Sequence, residues 1–284
     1  MMIKYYEHIE LEKWSDYKEL AEKSRLEWIF RGQSNSDWDI QTTLERSHIV
    51  KNFPDFEDEL LKDFKKGVKF YLKDESMPET TLEYLSLLQH FGAPSRLLDF
   101  TKSPYIAAYF AFEQATEDVA KVAIWVVNKI FLYQSSVCFF ENKIDHLSGA
   151  NNYAFNDRTF ELAYEESKKG DFNCIFPTEP NNQNQRYHLQ QSIFLSQGNP
   201  YEPLLNQLDF IKSDSLTKTF MKVTLPTSEK KTALREMHKM NINRATLFPG
   251  LDGFAKSLLI KYSNLSSYGE TYEFLKYAKS KNMA

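Results

Sequence analysis

Apolar positions recur at helical spacing over residues 9–25, 54–72 and 81–91, which predicts amphipathic helices there. Four stretches carry the shorter period of strands: "EWIFRG" (27–32), "KVAIWVVN" (121–128), "QQSIFLSQ" (190–197) and "KTFMKVTLP" (218–226). Residues 33–47, rich in Ser, Asn and Asp, read mostly as loop. Thr80 and Glu83 have capping-box spacing, Gly92 stands where a left-handed residue closes a helix, and Pro94 blocks continuation. Ser103 and Pro104 open the next helix as cap and first-turn proline. Its sequence, "PYIAAYFAFEQA", is apolar almost all round, which predicts a buried helix. Thr227 or Ser228 is expected to cap a helix reaching about Met240. A turn and helix follow from "NRATLFPGLDGF", with a helical tail over 259–284. Residues 129–189 show no clean period and are expected to form an irregular insertion. No repeat or linker divides the chain, so a single α+β domain over 1–284, with an N-terminal helix, is expected.

Composition narrows the classes. Twenty-two Phe and sixteen Tyr can fill a large core. The longest apolar run, "YIAAYFAF" at 105–112, is far short of the roughly 20 residues of a membrane span, so no membrane partner is expected. The first residues lack a basic–apolar–small signal pattern, and a cytoplasmic protein is expected. Cys138 and Cys174 have no metal-ligand spacing and read as reduced thiols; no metal site is expected. The net charge of −4 argues against broad non-specific nucleic-acid binding but leaves room for a local basic channel. P-loop, dinucleotide-fold, HExxH and CxxC signatures are absent.

The candidate chemistry gathers in "FRGQ" (30–33), "LLQHFGAPSRLLDFT" (87–101) and "QRYHLQQSIF" (185–194). Arg31 ends an apolar strand, where a guanidinium either grips a phosphate or carboxylate or pairs with a structural acid such as Asp99. Gly32 gives the backbone room to turn. Gln89 ends an apolar helical stripe and needs partners, either a ligand or the next loop. His90 reads as a general base or a satisfied, partly buried imidazole. Arg96, Asp99 and Thr101 form either one wall of a pocket or a braced turn. Arg186, Gln190 and Gln191 stand just before a strand, at a cleft edge or in solvent.

Together these blocks resemble the FRG domain, a family named for its Phe/Tyr-Arg-Gly triplet. The likeness runs through "FRGQ", "TTLERS" (42–47), the central "LLQHFGAPSRLLDFTKSPYIAAYFA" (87–111), "RYHLQQSIFL" (186–195) and "LFPGLDGFAKSL" (247–258). Its order of motifs is similar to that of the ADP-ribosyltransferase superfamily. That resemblance implies a split β-sheet core with surrounding helices and NAD as substrate. It also implies a bacterial or phage-defence effector, or a toxin, acting on nucleic acid or protein. Carried over, Arg31, Asp99 and Gln191 are the catalytic candidates. Arg31, Gly32, Gln33, Gln89, His90, Arg96, Thr101 and Gln190 would line the nucleotide. Gln at the late position could contact the ribose but cannot accept a proton at neutral pH. Two other readings stay open: a non-catalytic nucleotide or peptide recognition module, and a metal-independent nuclease using His90 with Arg96 or Arg31. The sequence sets neither the acceptor nor the oligomeric state.

Overall fold

The structure, a computed structural model, describes residues 5–72, 77–141, 143–144, 150–151, 153–182, 184–211 and 219–264. Nine strands form one mixed sheet: β1 (Glu7–Glu10), β2 (Trp28–Gln33), β3 (Leu97–Thr101), β4 (Lys121–Asn128), β5 (Ala150–Asn151), β6 (Ala154–Phe155), β7 (Ile175–Thr178), β8 (Ser192–Gln197) and β9 (Phe220–Pro226). Their order is β1-β9-β4-β2-β3-β8-β7-β6-β5. The pairs β1–β9 and β6–β7 are parallel and the rest antiparallel. This is an α+β fold.

The run in β4 is continuously apolar because both its faces are covered. Val122, Ile124 and Val126 pack with Ile106, Ala107 and Phe112 of helix Pro104–Glu113. Trp125 and Val127 point the other way, into a second core with Ile29, Phe100, Ile193 and Leu195. A third, Phe-rich core lies under helices Thr81–His90 and Asp157–Ser167. Strand alternation therefore feeds two cores from one sheet.

Helix Thr81–His90 starts where its cap predicts: the Thr80 hydroxyl accepts from the Glu83 N–H at 3.2 Å. The reciprocal half of the capping box is displaced by one residue, since the Glu83 carboxylate accepts from the Glu79 N–H. Gly92 takes φ +89° as the left-handed stop. Ser103 caps helix Pro104–Glu113 with proline in its first turn.

Three expectations change. The first helix is shorter, Trp14–Lys23, because residues 7–10 pair with β9 more than two hundred positions away. Neither Thr227 nor Ser228 caps a helix; they lie in a 3₁₀ turn ahead of helix Lys230–Lys239. Segment 129–189 is more regular than its pattern suggests. Helices Lys129–Glu141 and Asp157–Ser167 and strands β5–β7 extend the sheet beyond β8. The last helix is described over Leu251–Asn264, and the rest of the expected tail lies outside the described residues.

The central feature is a fork. β2 shares six registered pairs with β4, Trp28 to Gln33, and β3 shares five with β8. Between β2 and β3 there is one, Phe30 with Thr101. The two halves of the sheet therefore separate at Arg31. Gly32 lies at this point for a packing reason: a Cβ there would stand 2.0 Å from the Ala107 carbonyl oxygen and 2.6 Å from the Ala111 nitrogen. Helix Pro104–Glu113 reaches the strand only because residue 32 has no side chain. Gly32→Ala should cost about 3 kcal/mol by overpacking against backbone, lowering the melting temperature by roughly 5–10 °C. An unchanged melting curve would refute the close approach.

Candidate functional site

A guanidinium crosses the fork. Arg31 Nη1 donates to the Asp99 backbone carbonyl at 2.7 Å, supplying a rung where the strands have parted. The contact goes to the carbonyl, and Asp99, midway along β3, stays exposed. Arg31 is half-buried, and its Nε is buried without a hydrogen-bond partner. Burial pulls its pKa below the ordinary guanidinium value; Asp99 opposes that shift and Arg46 adds to it. The group stays charged at neutral pH. It is a partly desolvated cation whose Nε donor is unspent.

A cleft of about 710 Å³ opens over this point. That volume lies inside the roughly 300–1,000 Å³ of small-molecule and cofactor sites. Four arginines line it, Arg31, Arg46, Arg186 and Arg244, against three acids, Asp37, Asp39 and Asp99. Trp38, Phe110 and Phe248 add aromatic surface, with Trp38 54% exposed. The loop carrying Asp37, Trp38 and Asp39 is pinned from below. Gln33 Nε2 donates to the Asp39 carbonyl at 3.1 Å, and Lys222 Nζ donates to the Trp38 carbonyl at 3.1 Å. Gln33 Oε1 accepts from the Trp125 indole at 2.6 Å, so both ends of this amide are committed. Burial lowers the Lys222 pKa, with Asp39 and Asp37 opposing.

Of the residues singled out from sequence, Arg31, Gly32, Gln33, Asp99, Thr101, Arg186 and Gln190 line the cleft. Two of them are braces as well as lining. Thr101 Oγ1 donates to the Gln190 carbonyl at 2.7 Å, and Gln190 Nε2 donates to the Leu247 carbonyl at 3.0 Å. Four lie elsewhere. Gln191 is exposed, takes the left-handed φ of 50°, and is absent from the cleft wall. Its carbonyl instead accepts from the Lys102 N–H. Gln89 and His90 end helix Thr81–His90 away from the lining; the His90 ring packs edge-on against Phe91 and Tyr187.

Arg96 is the clearest correction. It is 5% exposed and its Nε donates to Glu57 Oε2 at 2.7 Å. Nη1 reaches Ser167 Oγ at 2.8 Å and the Gly198 carbonyl at 3.2 Å, and the Tyr164 ring covers the group at 4.5 Å. Burial alone would lower its pKa; Glu57 beside it more than offsets that, and the net shift is upward. Arg96 is spent on architecture. The partner, Glu57, is 39 positions away on helix Phe56–Gly67, and no local spacing announces it.

Sequence reasoning gave no weight to Arg46, Arg244 and Phe248. Arg244 and Phe248 lie more than two hundred residues from Arg31, and only the fold brings them together. A second hollow of about 380 Å³ beside Glu83 is less demanding chemically. There the carboxylate already accepts from Asn182 Nδ2 at 2.6 Å and from the Glu79 N–H at 2.7 Å. Among the described residues no group of three or more His, Cys, Asp or Glu could hold a metal ion. No helix among them is long and apolar enough to cross a membrane.

The class is thus an α+β protein with an arginine-lined cleft at a fork in a mixed sheet. A family model, that of the FRG domain, matches residues 26–119. The match includes Arg31, Asp99 and helix Pro104–Glu113, and leaves Arg186, Gln190, Arg244 and Phe248 outside. No curated protein and no solved structure matches the chain.

Removing one partner of the buried Arg96–Glu57 pair should cost about 3–5 kcal/mol, whereas replacing both with apolar groups is close to neutral. Arg96→Ala should therefore unfold in much less urea than Arg96→Met combined with Glu57→Leu. Equal losses in the two proteins would contradict the pairing.

Proposed function

We propose that the fork cleft binds a nucleotide whose phosphate is held by Arg31, and that NAD is its substrate in an ADP-ribosyl transfer. The observation that carries this reading is the buried Arg31 Nε without a partner, in a cleft with more arginines than acids. Turned toward the cleft, the guanidinium offers that donor to a phosphate oxygen, and a charge-assisted bond there contributes about 1.5–3 kcal/mol. The exposed ring of Trp38 suits a flat base. NAD and the transfer reaction come from the family likeness rather than from any contact in the cleft.

In this reaction the bond from ribose C1′ to the nicotinamide nitrogen breaks. Its electron pair stays with the ring, which leaves as neutral nicotinamide. C1′ gains oxocarbenium character, and water or an acceptor hydroxyl adds to it. This reading assigns the acid's role to Asp99, which is exposed and lines the cleft while its own carbonyl is tied to Arg31. The carboxylate stabilises the cationic carbon and takes the proton shed by the nucleophile.

Pure recognition without turnover is the competing reading, and one observation favours it. Gln190 spends its amide on Leu247 and Gln191 lies off the cleft, so neither stands ready at the ribose. A nuclease built on His90 with Arg96 or Arg31 gains nothing from the geometry: Arg96 is sealed in its ion pair, and His90 is not part of the cleft wall that Arg31 lines.

Calorimetry with NAD is expected to show saturable binding. Arg31→Ala should weaken it roughly 10- to 100-fold, with Arg31→Gln retaining a donor for the Asp99 carbonyl as the control for folding. Absence of NAD binding at millimolar ligand would sink the NAD reading. Asp99→Asn should slow nicotinamide release by roughly 100-fold while affinity stays within a few-fold; tight NAD binding with no nicotinamide release from the unmutated protein would select recognition instead.

A further inference from the structure

We infer that Arg186, Arg244 and Phe248 form a second nucleotide subsite of the cleft, distinct from the Arg31 pole. The inference rests on the reading that the cleft takes nucleotides. Both guanidiniums lie against one ring: Arg186 is 4.7 Å and Arg244 4.5 Å from the Phe248 centroid. Two like charges sharing a ring is a costly arrangement unless something anionic offsets it. One carboxylate does part of this. Glu113 Oε1 accepts from Arg244 Nη1 at 2.7 Å and from the Tyr109 hydroxyl at 2.9 Å. Burial, and then the neighbouring Glu113, raise the Tyr109 pKa, so its hydroxyl stays a donor to Glu113. Arg186 has no ion-pair partner among the described residues, and Arg244 Nε is buried without a hydrogen-bond partner. One positive charge, one buried donor and one buried acceptor, Glu113 Oε2, remain.

The subsite is also held rigid. Phe110 packs edge-on against Phe248 with centroids 6.0 Å apart. Asn243 caps helix Arg244–Leu247, and Gln190 pins the Leu247 carbonyl. A pair of guanidiniums preorganised on an aromatic ring suits the phosphate of a nucleotide. That chemistry has two sources: the second half of the dinucleotide held at Arg31, or a nucleotide of a single-stranded acceptor.

Arg186→Ala and Phe248→Leu separate these sources. Arg244 is left intact, since removing it would strand Glu113. Binding of ADP-ribose and of a short labelled single-stranded RNA would be measured for both variants, alongside melting curves. At least one ligand is expected to bind about tenfold more weakly in both variants, with melting unchanged. Loss for ADP-ribose assigns the subsite to the dinucleotide. Loss for RNA alone assigns it to an acceptor strand, and RNA binding through Arg186 in a protein that ignores ADP-ribose would keep the subsite while ending the NAD reading. Full affinity for both ligands in both variants, with ADP-ribose binding lost in Arg31→Ala, overturns the subsite and leaves the parent reading intact. If the unmutated protein binds neither ligand, both fall.

Discussion

The hydrogen bond from Arg31 to the carbonyl of Asp99 is the constraint on which the site depends. It spans the place where β2 and β3 part after a single registered pair. A sheet that opens like this exposes backbone groups that need partners. Here a side chain meets one of them, and in doing so is drawn into a half-buried position. The same bond that closes the gap keeps the guanidinium in place, with its Nε pointing nowhere within the protein. Structure and candidate chemistry therefore share one residue.

Around that residue the division of labour follows from packing. Phe30 goes into the core beneath helix Pro104–Glu113, and Gly32 lets that helix come within touching distance of the strand. Gln33 faces the opposite side, where it ties Trp125 to the loop bearing Trp38. Each member of the Phe-Arg-Gly-Gln run thus has a different physical task, and only Arg31 has capacity left over. The central block divides similarly: Arg96 is consumed by Glu57, Thr101 by Gln190, and the Asp99 carboxylate alone faces outward.

Local signals in the chain were legible wherever the cause was local. The caps at Thr80 and Ser103, the stop at Gly92 and the bounds of β4 are all set by neighbours within a few residues. Features that depend on distant partners were not legible. β1 exists because β9 pairs with it, and β5–β7 form because β8 offers an edge. The same limit governs the site. Arg31 and Asp99 stand out because each is a charged residue in an otherwise apolar run. Arg96 looked equivalent, and its burial depends on Glu57 and Ser167 from two other helices. Arg244 and Phe248 looked like an ordinary turn until the fold set them beside Arg186.

The account stands on the claim that Arg31 Nε is an unspent donor awaiting a phosphate. Nuclear magnetic resonance of ¹⁵N-labelled arginine side chains addresses it directly, with Arg31→Lys identifying the resonance by its disappearance. On adding ADP-ribose, the Arg31 Nε–H signal should move and exchange more slowly with water. A signal that stays fixed while ADP-ribose saturates the protein would place the ligand elsewhere and contradict the account.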